Sequence, residues 1–480
     1  MSEKRSVFIS GGGPAGLAAA LLFDQMGWDE IVLAERRASP SDFEKNKSFN
    51  YLVDLRGQRI LERLGIADRL YDCGVDTTTF TATTLAPDGT ASAQTVPIID
   101  PNRPTCFWTT RRALLSMLYG AIEEKGSERL RVLYGHSVAG IERADDQSVR
   151  VRVEDAEGKD EVFAPTLVLA CDGLNSVIRS ALEQQSEVPA GHFDMIAGDS
   201  ISVGLRYKVL NLPSKFTSAD GSVAVDDNRM SYIIPSRHKD QKKACALFAF
   251  PVVDPAHPRS VNLIREKDHE LWTLKTGEEL LAWLEDSFPQ IDVRALVSKE
   301  EADDFVSLEA GAFPAPQYAR HLHASLGPNG AKTEALLIGD AAHAFPPDLG
   351  LGVNSALQDL EVLARHLDRD VSLHQAAVDY EAERLPESRD LVWIVENTFP
   401  EQYNHRPTRL KLWALGFFGR RAMHKLAPWF FDKPAFLLSQ DPNMPYGEMR
   451  KRKTRTDIRY RGLMIGLGAL AAAGAAVALR

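Results

Sequence analysis

The sequence predicts an α/β protein of the α+β kind, in which a Rossmann-like domain is interleaved with a domain built on an antiparallel sheet. Three observations predict it: a strand, glycine turn, helix and strand over 6–35; a second strand followed by a special turn over 335–359; and strand-like apolar alternation over 201–253. A chain of 480 residues, 44% of them hydrophobic, can bury cores for two or three such units.

Composition excludes several classes of protein. The formal net charge of -10 leaves no basic half of the chain, so no nucleic-acid partner is expected. The four cysteines have no CxxC or metal-like spacing, so the sequence predicts no metal site and no disulfide scaffold, and a reducing compartment fits best. The apolar run near the N-terminus is too short for a signal peptide and is predicted to be a strand.

The first unit reads SVFISGGGPAGLAAALLFDQMGWDEIVLAERR. Gly11, Gly13 and Gly16 fit the GxGxxG pattern, in which glycines allow a tight turn, approach to a pyrophosphate and close packing of helix on strand. Glu35 ends the second strand at the distance where an acid meets a ribose hydroxyl. The helix N-terminus offers free N–H groups to a diphosphate. The unit therefore predicts a dinucleotide site, although the glycines alone could form an ordinary turn and the dinucleotide stays open.

Two further motifs follow strands. In the first, Asp172-Gly173 precedes Arg179; an ordinary Asp-Gly turn before a helix is the alternative. In GDAAHAFPPDLGLGVNSALQD, at 339–359, adjacent prolines block a helix and two glycines let a ligand approach backbone N–H groups. Asp340 is predicted to bind a sugar hydroxyl, and the loop beyond it to hold a flat polar ring. For His343 a packing or hydrogen-bonding role is favoured over a catalytic one.

These motifs resemble those of the single-component FAD-dependent aromatic hydroxylases, which have the para-hydroxybenzoate hydroxylase type of fold. The resemblance rests on GGGPAG at 11–16, CDGLNSVIR at 171–179, and GDAAHAFPP with GLGVNSALQD at 339–359, and it spans about the first 390 residues. The segment SFNYLVDLRGQRILERLGIADRL is similar to the kynurenine 3-monooxygenase branch of that family.

The resemblance implies non-covalently bound FAD. The residues it assigns to the adenosine diphosphate half are Gly11, Gly13, Pro14, Ala15, Gly16, Glu35 and Arg36, with Arg111 on the diphosphate. It places Asp340 at the ribityl or pyrophosphate region, and Asp172 and Gly173 near both FAD and the nicotinamide. The isoalloxazine contacts would be Gly350, Leu351, Gly352, Val353 and Asn354, and the rigid Pro346 and Pro347 would lie beside the flavin as the candidate catalytic loop.

The same resemblance implies a reaction. NADPH or NADH would reduce FAD transiently, since no second GxGxxG unit is visible; O2 would add at flavin C4a, and one oxygen would pass to an aromatic or lipophilic small molecule by hydroxylation or epoxidation. The alternative is a flavin-dependent reductase or dehydrogenase of the same fold that acts on a prenyl or polyene lipid.

The resemblance and the element pattern together divide the chain. The segments are an FAD-binding domain at 1–75, 105–185 and 320–390; a substrate-binding sheet domain at 76–104 and 186–319; a helical region at 391–461; and an anchor at 462–479. Tyr232, Phe248 and Phe250 could line an aromatic pocket, but aromatic side chains in strands are more often core.

The substrate side departs from the kynurenine branch. Where that branch presents an arginine and a tyrosine to a substrate carboxylate, this chain reads VDTTTFTATTL and QTVPIID; Thr398 stands near the place of a second tyrosine, and Tyr403 is displaced. Loss of a charge-assisted contact redirects specificity. A substrate without a free amino-acid carboxylate is therefore expected.

The C-terminal part changes character. Leu410 to Phe431 interleaves aromatic and basic residues, as in a helix on a membrane surface or beside a lipophilic tunnel, with a helix packed on the domain as the even alternative. Gly462 to Leu479 is uncharged and would reach about 27 Å as a helix. With the basic cluster before it, this run predicts a transmembrane anchor and a membrane-associated protein whose catalytic domain is cytoplasmic, with a helix docked on the protein as the alternative.

Overall fold

The computed structural model describes residues 4–42, 50–144, 148–327, 333–399, 402–403 and 406–478. Its first strands are β1 (Ser6–Ser10), β2 (Glu30–Glu35), β3 (Asn50–Val53), β4 (Gly74–Thr77), β5 (Thr81–Leu85), β6 (Ala91–Thr95), β7 (Cys106–Thr110), β8 (Leu130–Tyr134), β9 (Ser137–Arg143), β10 (Val149–Glu154), β11 (Asp160–Phe163) and β12 (Leu167–Ala170). The others are β13 (Met195–Ala197), β14 (Arg206–Leu212), β15 (Phe216–Thr217), β16 (Ala224–Val225), β17 (Ser231–Pro235), β18 (Ala246–Ala249), β19 (Arg259–Arg265), β20 (Gly311–Ala312), β21 (Gln317–Ala319), β22 (His323–Leu326), β23 (Thr333–Leu337) and β24 (His343–Ala344).

The helices connect and cover these strands. They are α1 (Pro14–Gln25), α2 (Leu55–Arg63), α3 (Leu70–Cys73), α4 (Arg111–Lys125), α5 (Val177–Leu182), α6 (Gly277–Ser287), α7 (Val293–Leu296), α8 (Lys299–Ser307), α9 (Gly352–Leu367), α10 (Leu373–Thr398), α11 (Pro407–Leu426), α12 (Ala435–Leu438) and α13 (Tyr446–Ala478).

A six-stranded sheet forms the first half of the fold, in the order β22-β23-β12-β1-β2-β8. The pairs β12–β1, β1–β2, β2–β8 and β12–β23 are parallel, and β22–β23 is antiparallel. β1 is buried along its whole length, as its continuous apolar run predicts for a central parallel strand. The alanines of α1 let this helix pack closely in the same core, which confirms the predicted βαβ unit.

A seven-stranded sheet forms the second half, in the order β20-β14-β19-β18-β17-β5-β6. Its pairs are antiparallel except β17–β5, which is parallel. Alternate residues such as Leu210 and Leu212 point into a separate core that α6 and α8 complete. The fold class that the sequence predicts is confirmed.

The strands of this second sheet come from 81–95 and 206–312, inside the two segments assigned to the sheet domain. Two of the other proposed boundaries fall within continuous helices, since α10 runs through 390–391 and α13 runs through 461–462. The boundaries therefore stay predictions.

The C-terminal anchor is not supported. Residues 462–478 continue α13, and Leu479 lies outside the described residues. In the part of the chain that the structure describes, no helix combines the length and the apolar character needed to cross a membrane.

Candidate functional site

Three adjacent parallel strands carry the predicted motifs to one place. Ser10 at the end of β1 pairs with Ala170 at the end of β12, and Ala170 pairs with Leu337 at the end of β23. The residues that follow these strands are Gly11, Asp172 and Gly339. Because the carboxyl ends of parallel strands lie at one edge of the sheet, motifs 160 or more residues apart share one crevice, the usual ligand position in open α/β sheets.

The three motif glycines of the turn after β1 differ in the space around them: two are in close contact with backbone atoms, and one has open space beside it. Gly11 has φ +97°, and a Cβ there would lie 2.6 Å from the Cys171 carbonyl oxygen. A Cβ on Gly16 would lie 1.9 Å from the Gly11 carbonyl oxygen. A Cβ on Gly13, by contrast, would meet no described protein atom within 4 Å. Gly11 and Gly16 are thus required by the protein itself, whereas Gly13 leaves room for a ligand.

Pro14 and Ala15 begin α1 directly after this turn, with Pro14 in the first helical turn. A proline there removes no helical hydrogen bond, because the first N–H groups of a helix have no intrahelical partner. The remaining N–H groups of this turn and the helix dipole favour an anion, as a diphosphate requires.

Glu35 and Arg37 form a buried pair beside the turn. Glu35 accepts from the Gly12 backbone N–H at 2.6 Å and from that of Arg37 at 2.8 Å, and the Arg37 guanidinium donates to the Gly12 carbonyl at 2.7 Å. Burial raises the pKa of Glu35, but these hydrogen bonds and the Arg37 charge outweigh it and lower that pKa. Arg37 Nη1 is buried without a protein partner.

Arg37 is a residue that sequence reasoning missed. The sequence assigns Arg36 to the cofactor, yet Arg36 is exposed and Arg37 is buried. The sequence did contain a signal for Arg37: side chains alternate between the two sides of an extended chain, so Glu35 and Arg37 lie on the same side.

Tyr51, Arg111 and Asp340 approach one another across the crevice. Burial raises the pKa of Tyr51, while the charge of Arg111 and a hydrogen bond from it lower that pKa and the Asp340 charge raises it. Burial also raises the pKa of Asp340, with the charges of His343 and Arg111 acting against it. Asp340 is nevertheless exposed to solvent. Tyr51 is the second residue that sequence reasoning missed.

Asp172 caps α5. One carboxylate oxygen accepts from the backbone N–H groups of Val177 at 2.9 Å and Ile178 at 3.1 Å, and the other is buried without a partner. Gly173 takes φ +82°, and Arg179 donates to the Ala341 carbonyl at 2.7 Å. This motif therefore shapes its own turn and ties it to the loop after β23.

Hydrogen bonds of the Asn354 side chain hold the loop before α9. The Asn354 side chain donates to the carbonyls of Leu52 at 2.7 Å and Gly350 at 3.0 Å, and it accepts from the Asp54 N–H at 2.9 Å. Leu351 and Val353 are buried in apolar cores. Gly350 takes φ +65° and Gly352 begins α9. The Asn354 side chain thus fastens the loop to β3, and the ring contacts predicted for 350–354 would come from backbone N–H groups.

Asp348 follows the two prolines and is completely buried. Its Oδ1 accepts from the Ser202 hydroxyl at 2.8 Å, and its Oδ2 has no partner. Burial raises the pKa of Asp348 to about 7, against the Ser202 hydrogen bond. Pro346 is buried, and Pro347 accepts a 3.4 Å hydrogen bond from the Tyr403 hydroxyl. Asp348 lies within the 339–359 motif, but the sequence predicted no role for it.

His343 has the hydrogen-bonding role that the sequence favoured. Its Nε2 lies 2.9 Å from Asp359, which also accepts from the Gly339 N–H and from Arg384, each at 2.8 Å. Burial raises the pKa of Asp359, but the charges of His343 and Arg384 lower it overall. The network is buried and holds the corner at Gly339-Asp340 in place.

The aromatic residues of the second sheet divide between its faces. Tyr232 belongs to the core, with Arg259 over its ring at 5.0 Å. Phe248 and Phe250 instead join Phe80 and Trp108 in one cluster, with ring centroids 4.6 to 6.0 Å apart. A pocket role for Tyr232 therefore has no support, whereas this aromatic cluster joins the sheet to β7.

The crevice fits a dinucleotide by its own chemistry. Gly13 leaves space at a helix N-terminus, Arg37 and Asp172 each hold a buried polar atom without a partner, and Asp340 is exposed to solvent. A second helix N-terminus, that of α9, stands across the same sheet edge from the first. The fold and the site define a dinucleotide-binding protein.

The comparison with protein families agrees. A family described as FAD binding domain matches residues 4–393. The chain belongs to this family, and FAD is its cofactor.

Known proteins similar to this chain are monooxygenases. Kynurenine 3-monooxygenase of Stenotrophomonas maltophilia is 26% identical over 391 residues, covering 80% of this chain and 76% of that protein. The Drosophila willistoni protein of the same name is 24% identical and covers 97% and 95%. P. aeruginosa PqsL, solved with 2-aminobenzoylacetate, has a TM-score of 0.54 at 18% identity and covers 83% of this chain and 97% of its own, which shows a shared fold. The chain is an FAD-dependent enzyme of the monooxygenase type.

Proposed function

We propose that this protein is an NAD(P)H- and O2-dependent hydroxylase of a small aromatic or lipophilic compound. The observation that carries the proposal is the meeting of the three motifs at one sheet edge, with Asp348 of the proline loop hydrogen-bonded to Ser202 before the antiparallel sheet. A flavin held there would lie between the two halves of the fold. Bound FAD supplies hydride acceptance and oxygen activation.

The chain's own residues would bind the FAD and orient it. The turn at 11–16 and the N-terminus of α1 would hold the diphosphate, with Arg111 as a countercharge. Asp340 would accept from a sugar or ribityl hydroxyl, and the backbone N–H groups at 350–353 would donate to the polar edge of the ring. The His343–Asp359–Arg384 network keeps the Asp340 corner rigid, so these groups are positioned before the ligand arrives.

The substrate is proposed to lack a free amino-acid carboxylate. The segment 75–85, VDTTTFTATTL, and the segment 94–100, QTVPIID, contain no arginine or tyrosine. The aromatic cluster of Phe80, Trp108, Phe248 and Phe250 lies where 75–85 meets the sheet, and it favours a flat apolar molecule. Kynurenine is therefore not expected to be the best substrate.

The experiment measures oxygen transfer directly. Purified protein with bound FAD is given NADH or NADPH, aromatic candidates with and without a carboxylate, and isotopically labelled O2. Incorporation of one labelled atom into an aromatic product supports the proposal. Reduction of an added alkene without labelled oxygen would support the reductase alternative instead. Formation of 3-hydroxykynurenine as the fastest reaction would overturn the substrate assignment.

We also propose peripheral contact with a membrane surface, with the catalytic part on the cytoplasmic side. Leu412, Leu415, Leu426, Trp429 and Ile465, on α11, α13 and the link between them, are 64 to 83% exposed. Lys411, Lys425 and Arg461 lie among them, and such a mixture of apolar and basic residues suits an anionic interface.

A flotation assay with anionic and neutral vesicles tests this contact. Leu415→Glu should reduce recovery with anionic vesicles, while Tyr71→Ser, which changes an exposed side chain elsewhere, should not. Equal recovery of the Leu415 variant and the unaltered protein would contradict this contact.

A further inference from the structure

A group of imidazole and carboxylate side chains lies at the edge of the six-stranded sheet, apart from the crevice. β22 and β23 pair so that Ser325 stands opposite Glu334. His323 is two residues from Ser325 and therefore on the same face of its strand. α10 contacts both strands and brings His374, the second residue of that helix, to this face.

The donor atoms are close enough to share one ion. His323 Nε2 lies 2.6 Å from one Glu334 oxygen, and His374 Nδ1 lies 3.2 Å from the other. One donor atom from each of the three side chains lies within 4.8 Å of those from the other two. The Ser325 hydroxyl is 2.6 Å from Glu334 and 3.0 Å from His374 Nδ1, so it stands beside the group as a fourth polar atom.

The exposure of these side chains suits capture of an ion from solvent. The Glu334 side chain is 3% exposed and that of His323 is 11% exposed, so strand pairing holds both in place. The His374 side chain is 52% exposed and can turn at the mouth of the site. Two fixed ligands and one accessible ligand leave an entry path without unfolding of the sheet.

We propose that His323, Glu334 and His374 bind a divalent transition-metal ion of the zinc class, with Ser325 or water in the remaining position. Two imidazoles and one carboxylate are a recurrent ligand set for such ions, and a harder ion such as Mg²⁺ would prefer oxygen ligands.

The same atoms form a hydrogen-bond network when no metal is bound. Burial raises the pKa of Glu334, but the hydrogen bonds of His323 and Ser325 outweigh it and keep this carboxyl ionised to lower pH. A bound ion would take the place of these hydrogen bonds as the common partner of the three side chains.

The structural consequence is a cross-link between the sheet edge and α10. This helix also carries Arg384, which bonds to Asp359 and so holds the Gly339-Asp340 corner. A bound ion would stabilise the protein by mass action, because the unfolded chain does not hold the three ligands together.

The test is a zinc titration of chelator-treated full-length protein, followed by calorimetry and by thermal unfolding. We expect one Zn²⁺ per chain, a raised melting temperature, and affinity at least about tenfold weaker in His374→Gln, since even indirect partners of a metal cost that much. His257→Gln is the matched control, because His257 is exposed and faces Asp254 at 3.0 Å. It should bind zinc as the unaltered protein does.

Two further variants make the outcome decisive. His321→Gln alters a neighbouring imidazole that stacks on His192, and it should leave the affinity unchanged. Glu334→Gln should weaken zinc binding if the variant folds. If it does not fold, His374→Gln still tests the site, because His374 is half exposed and its replacement disturbs no core packing. Absence of stoichiometric zinc in the unaltered protein, or equal affinity in His374→Gln, would overturn the proposal.

Discussion

The Ser202 hydroxyl donates a 2.8 Å hydrogen bond to Oδ1 of Asp348 and thereby joins the segment before β14 to the loop after the paired prolines. Both residues are completely buried, and Asp348 Oδ2 has no partner. The bond therefore links the two halves of the fold through a carboxyl that is costly to ionise.

Asp348→Asn should change how stability depends on pH. The folded-state pKa is raised from 3.8 to about 7, so the folded state holds this proton more tightly than the unfolded chain does. Stability should fall as pH rises from about 4 to about 7, by up to about 4 kcal/mol, and then stay level. Asp348→Asn, whose side chain does not ionise, should lose this pH-dependent part of the free energy of unfolding. The free energy of unfolding at pH 5 and pH 8 measures it, and an equal fall in both proteins would contradict the assignment.

Two glycine variants should separate folding from cofactor binding. Gly16→Ala should destabilise the protein, because its Cβ would lie 1.9 Å from the Gly11 carbonyl oxygen. Gly13→Ala should leave the cofactor-free protein stable, because no described protein atom lies within 4 Å of that Cβ, yet it should weaken FAD binding. Thermal unfolding and FAD titration of both variants provide the comparison. Undiminished FAD affinity in Gly13→Ala would place the diphosphate elsewhere.

Arg37→Ala should weaken FAD binding more than Arg36→Ala does. Arg37 is buried, bonds to Gly12 and Glu35, and keeps Nη1 unpartnered, whereas Arg36 is exposed. Loss of a charge-assisted contact should cost about tenfold or more in affinity. Fluorescence titration with FAD measures the difference. A larger effect of the Arg36 variant would restore the original sequence assignment.

Asp340→Ala should yield protein depleted of FAD with its secondary structure retained. The side chain is exposed in the cleft and is held near Arg111, so its loss removes a ligand contact and not a core contact. The ratio of flavin to protein absorbance after purification measures occupancy. Full occupancy in this variant would refute the role of Asp340.

Local patterns predicted much of the fold. The glycine spacing at 11–16, the apolar run of β1 and the strand-turn sequences before Asp172 and Asp340 each specify short-range geometry. Their meeting at one edge follows from parallel pairing of β1, β12 and β23, which those patterns and the family resemblance together indicate.

Contacts between distant segments could not be predicted from the sequence. Asp348 and Ser202 are 146 residues apart, and Asn354 reaches Leu52 across 302 residues, so no periodicity shows either bond. The metal-ligand candidates at 323, 334 and 374 lack any short spacing motif, and the prediction of no metal site rested only on the spacing of the cysteines. The anchor prediction has no support, because no helix among the described residues is long and apolar enough to cross a membrane.

We propose that FAD held at this sheet edge activates oxygen for transfer to a substrate. The most direct measurement is rapid mixing of the anaerobically reduced holoenzyme with O2, followed by absorbance. We expect a transient near-ultraviolet absorbance before oxidised flavin returns, and faster decay of that signal with an aromatic substrate that becomes oxygenated. Direct return of oxidised flavin without a transient, with hydrogen peroxide as the sole product under every substrate tested, would contradict it.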